Sequence, residues 1–235
     1  MAKRPIFISS DINNDLQFFN SKMIEFNWYP GFAVSQKRKS IDSLHKNFIT
    51  EFPERNVLEI STKSENPIGA NLSAFNLKIN HSKYGIMPLE CAYQGGKIFE
   101  KNGQFIDMYS MNPYKIKKDI RLKESGRIIG FEFDSQEFDI NPTGLFYNWI
   151  YIKALYENKI LREELLKFSA FSDIEYNPTK SVNCQAKACA LFVSLCRADL
   201  IDDAIQDVAI FKSIQKGVHK YDTIGYTNTQ TALNL

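Results

Sequence analysis

Residues 88–100, Pro-Leu-Glu-Cys-Ala-Tyr-Gln-Gly-Gly-Lys-Ile-Phe-Glu, constrain the fold more than any other stretch of the chain. Read as an α-helix, they bring Glu90, Gln94 and Lys97 to positions i, i+4 and i+7, within about 60° of one another. Leu89, Tyr93 and Phe99, with small Ala92 and Gly96, cover much of the remaining circumference. Such a helix is embedded on several sides, and its polar stripe is expected to face an enclosed space. Gly95 and Gly96 each cost roughly 1 kcal/mol relative to alanine inside a helix. Close approach of a packing neighbour or of a ligand would offset that cost.

At 235 residues the chain is expected to form one domain over 1–235, with a substantial core. Hydrophobic residues at 44% and charged residues at 24% match ordinary globular proteins rather than disordered or membrane-spanning chains. A net charge of +2 gives no global field for duplex nucleic acid, so any nucleic-acid contact has to be local. Two local basic runs exist, Lys37-Arg38-Lys39 and Lys115 to Arg121, and either can be plain solvated surface. The four cysteines form no CxxC pair, and His45, His81 and His219 do not cluster with them, so neither a metal site nor a cofactor is expected. The N-terminus lacks an apolar signal-like core and no apolar run is long enough to span a bilayer. A cytoplasmic protein without membrane contact is the expectation.

Periodicity outlines the elements. Strands are expected at 5–10, 23–29, 57–61, 72–79 and 128–133, and helices at 35–52, 88–100, 143–158 and 163–171, with a last strong one capped by Ser181. A loop and a short helix fill 101–127. The Thr/Asn-rich end, 218–235, is expected to be a flexible tail. The fold class is mainly α with a few short strands, α+β in the broad sense.

The central helix with its flanks resembles the NADAR, or YbiA-like, superfamily. The resemblance lies in the E-x-x-x-Q-x-x-K pattern of Glu90, Gln94 and Lys97, and in LSAFNL at 72–77, similar to an LSNFYP-like segment. Ala74 stands where that superfamily usually has asparagine. Further stretches resemble the branch associated with DarT-type DNA ADP-ribosyltransferase toxins: 28–45, LEISTKS (58–64), 143–155, AFSDIEYNP (170–178) and SVNCQAKACALFVSL (181–195). The resemblance implies a multi-helical NADAR fold and an antitoxin that removes ADP-ribose from guanine in single-stranded DNA, with ADP-ribose as product and the toxin as functional partner. An N-glycosidase acting on a riboflavin-pathway ribosyl metabolite and a non-catalytic binder of toxin or ADP-ribose are the alternatives.

Breaking an N-glycosidic bond needs help at the anomeric carbon and at the departing nitrogen, which a carboxylate and an ammonium on one face can supply. Glu90 and Lys97 are therefore the first catalytic candidates, with Asp173 as an orienting carboxylate or, equally, a turn residue. Lys97 can act electrostatically or, with its pKa lowered by burial, as an amine nucleophile. Candidate ADP-ribose contacts are Gln94, the loop residues Ser61, Lys63 and Ser64, and Asn183 in the first turn of its helix. Phe75 and Trp149 are candidates for stacking on a base, with a core role the alternative for Trp149. Lys37, Arg38 and Lys39 are the candidate DNA track.

Overall fold

The computed structural model describes residues 1–10 and 18–214. The chain opens with β1 (Ala2–Ser9), β2 (Phe19–Phe26), α1 (Val34–Glu51), β3 (Val57–Glu59) and α2 (Pro67–Asn71). A hairpin, β4 (Lys78–His81) and β5 (Gly85–Pro88), leads into α3 (Leu89–Gly95) and then β6 (Lys97–Phe99) and β7 (Gly103–Gln104). After a 3-10 turn come α4 (Pro113–Ile116), α5 (Arg121–Glu124), β8 (Ile128–Phe133) and β9 (Gln136–Phe138). There follow α6 (Leu145–Glu157), α7 (Lys159–Leu165), β10 (Ala170–Ser172), α8 (Gln185–Arg197) and α9 (Ile201–Gln206), and then helical residues 208–214.

The first sheet, ordered β2-β1-β10-β3, is antiparallel except where β10 runs parallel to β3. Strand alternation sends its side chains to two different cores. Ile6, Ile8, Ile24, Phe26 and Ala170 meet Ile41, Leu44 and Phe48 of α1, while Phe7, Phe19, Leu58 and Phe171 join the larger core around α6 and α8. The sheet is thus covered on both faces, by α1 on one and α8 on the other. Helices α6 and α8 are buried nearly all round, so they form the centre of the molecule instead of showing an outer polar stripe. A second sheet, β7-β6-β8-β9, packs Phe131, Phe133 and Phe138 against the same core. No described helix is long and apolar enough to cross a membrane.

Several expectations change. Among the described residues, helix at 43% and strand at 21% make the fold mixed α/β, which fits the broad α+β class and does not support mainly α. The central helix ends at Gly95, and Lys97 lies on β6, where it pairs with Phe131 of β8. A Cβ on Gly95 would lie 2.6 Å from the Tyr109 ring and one on Gly96 2.5 Å from Phe146, so packing neighbours explain both glycines. Residues 72–77 form consecutive turns rather than a strand. Their apolar residues Leu72, Ala74 and Leu77 are buried, and Tyr151 of α6 donates its hydroxyl to the Leu72 carbonyl. The helix expected at 163–171 is α7, ending at Leu165, and strand β10 takes residues 170–172 because they pair with both β1 and β3. The tail at 218–235 lies outside the described residues.

Candidate active site

Glu90 stands in the first turn of α3, where exposed backbone N–H groups favour a negative charge, and only 4% of it is accessible. Its Oε1 accepts from Gln94 Nε2 at 2.9 Å, one turn along the helix, and Lys117 Nζ lies 3.9 Å from Oε2. The other amide atom of Gln94, Oε1, is buried without a hydrogen-bond partner. Although Lys97 has left the helix, its ammonium returns to the same side: Nζ sits 4.8 Å from the centre of the Tyr93 ring. Burial pulls its pKa down to about 8, opposed by the Glu90 charge and helped by Lys117.

Aromatic side chains enclose this pair. Tyr93 meets Tyr147 edge-on at 5.2 Å and lies parallel to Phe131 and Phe146. Burial first, then the Glu90 charge, pushes the Tyr93 phenol up to about 12, so it stays protonated at neutral pH. Its oxygen accepts from Asn183 Nδ2 at 2.7 Å, which leaves its own proton free to donate. The Tyr147 phenol is raised well above its ordinary value by burial and by the Glu90 and Asp173 charges, so it stands within electrostatic reach of both carboxylates. Trp149, two residues on and on the opposite side of α6, packs in the core against Phe138 and is not brought to Glu90. Tyr147, which sequence reasoning did not single out, is the α6 aromatic of this site.

Asp173 follows directly after β10, and its carboxylate accepts from Gln185 Nε2 at 3.0 Å and from the Glu175 N–H at 3.1 Å. Gln185, the first residue of α8, also donates to the Ile60 carbonyl and accepts from the Ala74 N–H. The Ala74 carbonyl in turn accepts from the Glu90 N–H at 2.8 Å. A continuous chain of hydrogen bonds therefore ties Asp173 to the start of α3. Gln185 was missed from the sequence; a polar residue opening a largely apolar helix was the available signal. Asn183 lies two residues before α8, outside its first turn, and Ser181 does not cap that helix but donates to the Asn183 carbonyl. Gly144, with φ +83°, lets Asn183 approach: a Cβ there would sit 3.4 Å from Asn183 Oδ1.

The loop after β3 gathers elsewhere. Ser61 is buried and donates to Glu59 Oε1 at 2.7 Å while accepting from the Lys63 N–H. Glu59 also accepts from the Ser172 hydroxyl and from the Ile174 N–H at 2.8 Å. His45 Nε2 lies 2.7 Å from the Ser172 hydroxyl; with Glu59 ionised, the Ser172 proton goes to Glu59 and His45 is the donor to Ser172. Burial holds His45 neutral by lowering its pKa to about 4. Glu59 and Asp173 are both raised, by burial in each case, with the Asp173 charge adding to the shift on Glu59. A cleft of about 200 Å³ beside this cluster is lined by Arg38, Asp42, His45, Glu59, Ser64 and Asn66 among others. Ser61 and Ser64 thus assemble around Glu59, on the α1 side, instead of around Glu90. Lys63 Nζ reaches Thr62 Oγ1 at 3.1 Å.

On α1, Lys37 lies over the Trp28 ring and 3.6 Å from Glu175, and Arg38 lies 3.6 Å from Glu65, so two of the three expected DNA-contacting cations already face carboxylates. Lys39 is exposed. Phe75, half-buried, stacks on Tyr114 with ring centres 4.7 Å apart, and Lys117 Nζ lies 4.7 Å from the Phe75 ring. Among the described residues no group of three or more His, Cys, Asp or Glu is arranged to hold a metal ion.

A family model described as DarT1-associated NADAR antitoxin matches residues 2–223. No curated protein matches the chain.

Proposed function

The chain belongs to the family of DarT1-associated NADAR antitoxins, and from that premise we propose that it hydrolyses the bond between ADP-ribose and guanine in single-stranded DNA. It would thereby reverse the modification made by a DarT-type toxin and release free ADP-ribose. Glu90 and Lys97 carry this assignment: a buried carboxylate beside a desolvated ammonium with a pKa near 8 is the equipment that ribosyl C–N cleavage requires.

The reaction breaks the ribosyl C1–N bond and adds water, its hydroxyl to C1 and its proton to the guanine nitrogen. Glu90 acts on the proton, with Gln94 holding the carboxylate in one orientation through the hydrogen bond to Oε1. Lys97 has two routes. As a cation it stabilises negative charge on the departing base. As a neutral amine it attacks C1 of the ring-opened sugar, displaces the guanine nitrogen and forms a Schiff base, which water then hydrolyses to ADP-ribose. Asp173, linked to α3 through Gln185 and Ala74, orients the ribose hydroxyls or the attacking water.

The test is incubation with an oligonucleotide carrying ADP-ribosylated guanine. Free ADP-ribose is expected with the wild type and absent with Glu90→Gln and Lys97→Ala. If both variants still protect cells from the toxin, the protein is a binder and the proposal is wrong. Activity confined to a free phosphorylated ribosyl pyrimidine overturns it equally.

A further inference from the structure

The aromatic pair beside Glu90 has no part in the hydrolysis above. Tyr114 is 57% exposed. It is held on α4 by Asn112, whose side chain accepts from the Tyr114 N–H, and by Pro113 at the first helical position. One face of the Tyr114 ring rests on Phe75 at an interplanar angle of 19°. Lys117 completes the arrangement by lying at once over Phe75 and beside Glu90. Lys115 and Lys118, on the same short segment, are exposed, and neither faces a carboxylate among the described residues. This contrasts with α1, where Lys37 and Arg38 are already paired with Glu175 and Glu65.

A solvent-facing aromatic stack next to a buried catalytic carboxylate, flanked by cations without acidic partners, has the chemistry of a single-strand platform. A base stacks on the ring, and the phosphates on either side find ammonium groups. The alternative, a plain solvated turn, accounts for the lysines and for an exposed ring taken singly, as at Phe32, but not for a ring stacked on Phe75 within reach of the Lys117 that faces Glu90. We propose that Phe75, Tyr114, Lys115 and Lys118 bind the nucleotide adjoining the modified guanine of single-stranded DNA, so that the strand leaves the site over α4 and not over α1. This inference rests on the hydrolase reading for what occupies the pocket beside it.

Two variants test it. Tyr114→Ala removes the exposed ring, and Lys115→Glu/Lys118→Glu reverses two surface charges without touching Glu90, Gln94 or Lys97. Binding of an unmodified single-stranded oligonucleotide, followed by fluorescence anisotropy, is expected to weaken on the order of ten- to a hundredfold for Tyr114→Ala, with Tyr114→Phe close to wild type. For the double variant the slope of log affinity against log salt should shrink by about 1.4, the value for two phosphate contacts on a single strand. Hydrolysis gives the second readout: kcat/KM falls on the modified oligonucleotide and stays within about twofold on ADP-ribosylated guanosine monophosphate. Unchanged oligonucleotide binding in both variants, or equal loss on oligonucleotide and mononucleotide, overturns the proposal. Release of ADP-ribose from neither substrate by the wild type instead sinks the hydrolase reading, and a binding result still decides whether α4 holds the strand.

Discussion

Glu59 and Glu90 are buried to the same degree, 3% and 4% accessible, yet they live in opposite circumstances. Glu59 accepts from two serine hydroxyls and a backbone N–H, and a neutral histidine backs one of those serines. Its acceptor capacity is filled by the protein itself. Glu90 receives one firm hydrogen bond, from Gln94, and a long contact from Lys117, while the neighbouring Gln94 oxygen has no partner. An unmet buried polar group is costly, and a ligand is one way of meeting it. Burial alone therefore separates neither carboxylate; the number of donors already committed does. Glu59 holds the ends of β3 and β10 together, and through the Ile174 N–H it fixes the turn that presents Asp173. Glu90 keeps acceptor capacity that the protein does not fill.

That contrast is broken most directly by mutating both. Glu90→Gln keeps size and can still accept from Gln94, so melting should stay near wild type while kcat falls by about 10²–10⁴-fold, the range for a lost general acid or base. Glu59→Ala should do the reverse. It strands the Ser61, Ser172 and Ile174 donors, at roughly 3 kcal/mol or more in total, and lowers the melting temperature by about 6–12 °C for a chain of this size. If Glu59→Ala melts like the wild type, or Glu90→Gln turns over like it, the two glutamates have been assigned the wrong way round.

pH separates them further. Lys97 is charged below about 8 and neutral above. If it is the nucleophile, kcat/KM rises with pH, roughly tenfold per unit, up to that value and then levels; if it is an electrostatic group, kcat/KM falls above it. Borohydride trapping of an ADP-ribosyl adduct on the wild type, missing from Lys97→Ala, would accompany the first profile only. For Glu59 and Asp173 the sign is set by raised carboxyl values in the folded state. The unfolded chain releases these protons at ordinary carboxylate pH, whereas the folded protein retains them longer. Their contribution to stability is complete at low pH and is lost as pH rises through the raised values. Denaturant titration at a series of pH values should show this decline in the wild type and a shallower one in Glu59→Gln.

How much of this could be read beforehand depended on the kind of signal. The long apolar periodicities of α1, α6 and α8 located those helices, because burial of a continuous face leaves a trace that no loop imitates. Short elements failed where tertiary pairing overrode local pattern: Lys97 reads as the third turn of a helix but is captured by β8, and residues 170–171 read as a helix end but are held between β1 and β3. At the site, the spacing of Glu90, Gln94 and Lys97 picked out residues that the structure does bring together, although the helix stops before Lys97. Glu59 was hidden because a charged residue in Val-Leu-Glu-Ile-Ser looks like the solvent side of a strand, and only the covering helix α1 makes that side an interior. Trp149 and Tyr147 differ by two positions on a helix buried all round, so periodicity had no basis for choosing which one faces the carboxylates.

The smallest effect tests the finest part of the comparison, the polar shell around Glu90. Asn183 was expected to hold phosphate from a helix terminus, but its amide donates to Tyr93, whose hydroxyl proton is thereby aimed elsewhere. If its role is to orient Tyr93, Asn183→Ala should cost about 1 kcal/mol, a fivefold loss of kcat/KM or thereabouts, with melting nearly unchanged. Tyr93→Phe removes the same hydrogen bond from the other side, so the double variant should be no worse than the poorer single variant. Additive losses in that cycle, or a rise in KM confined to substrates bearing the diphosphate, would mean that Asn183 touches the ligand directly. The amide would then belong with Glu90 among the groups that keep capacity for a ligand, and not with the serines that the protein has already committed to Glu59.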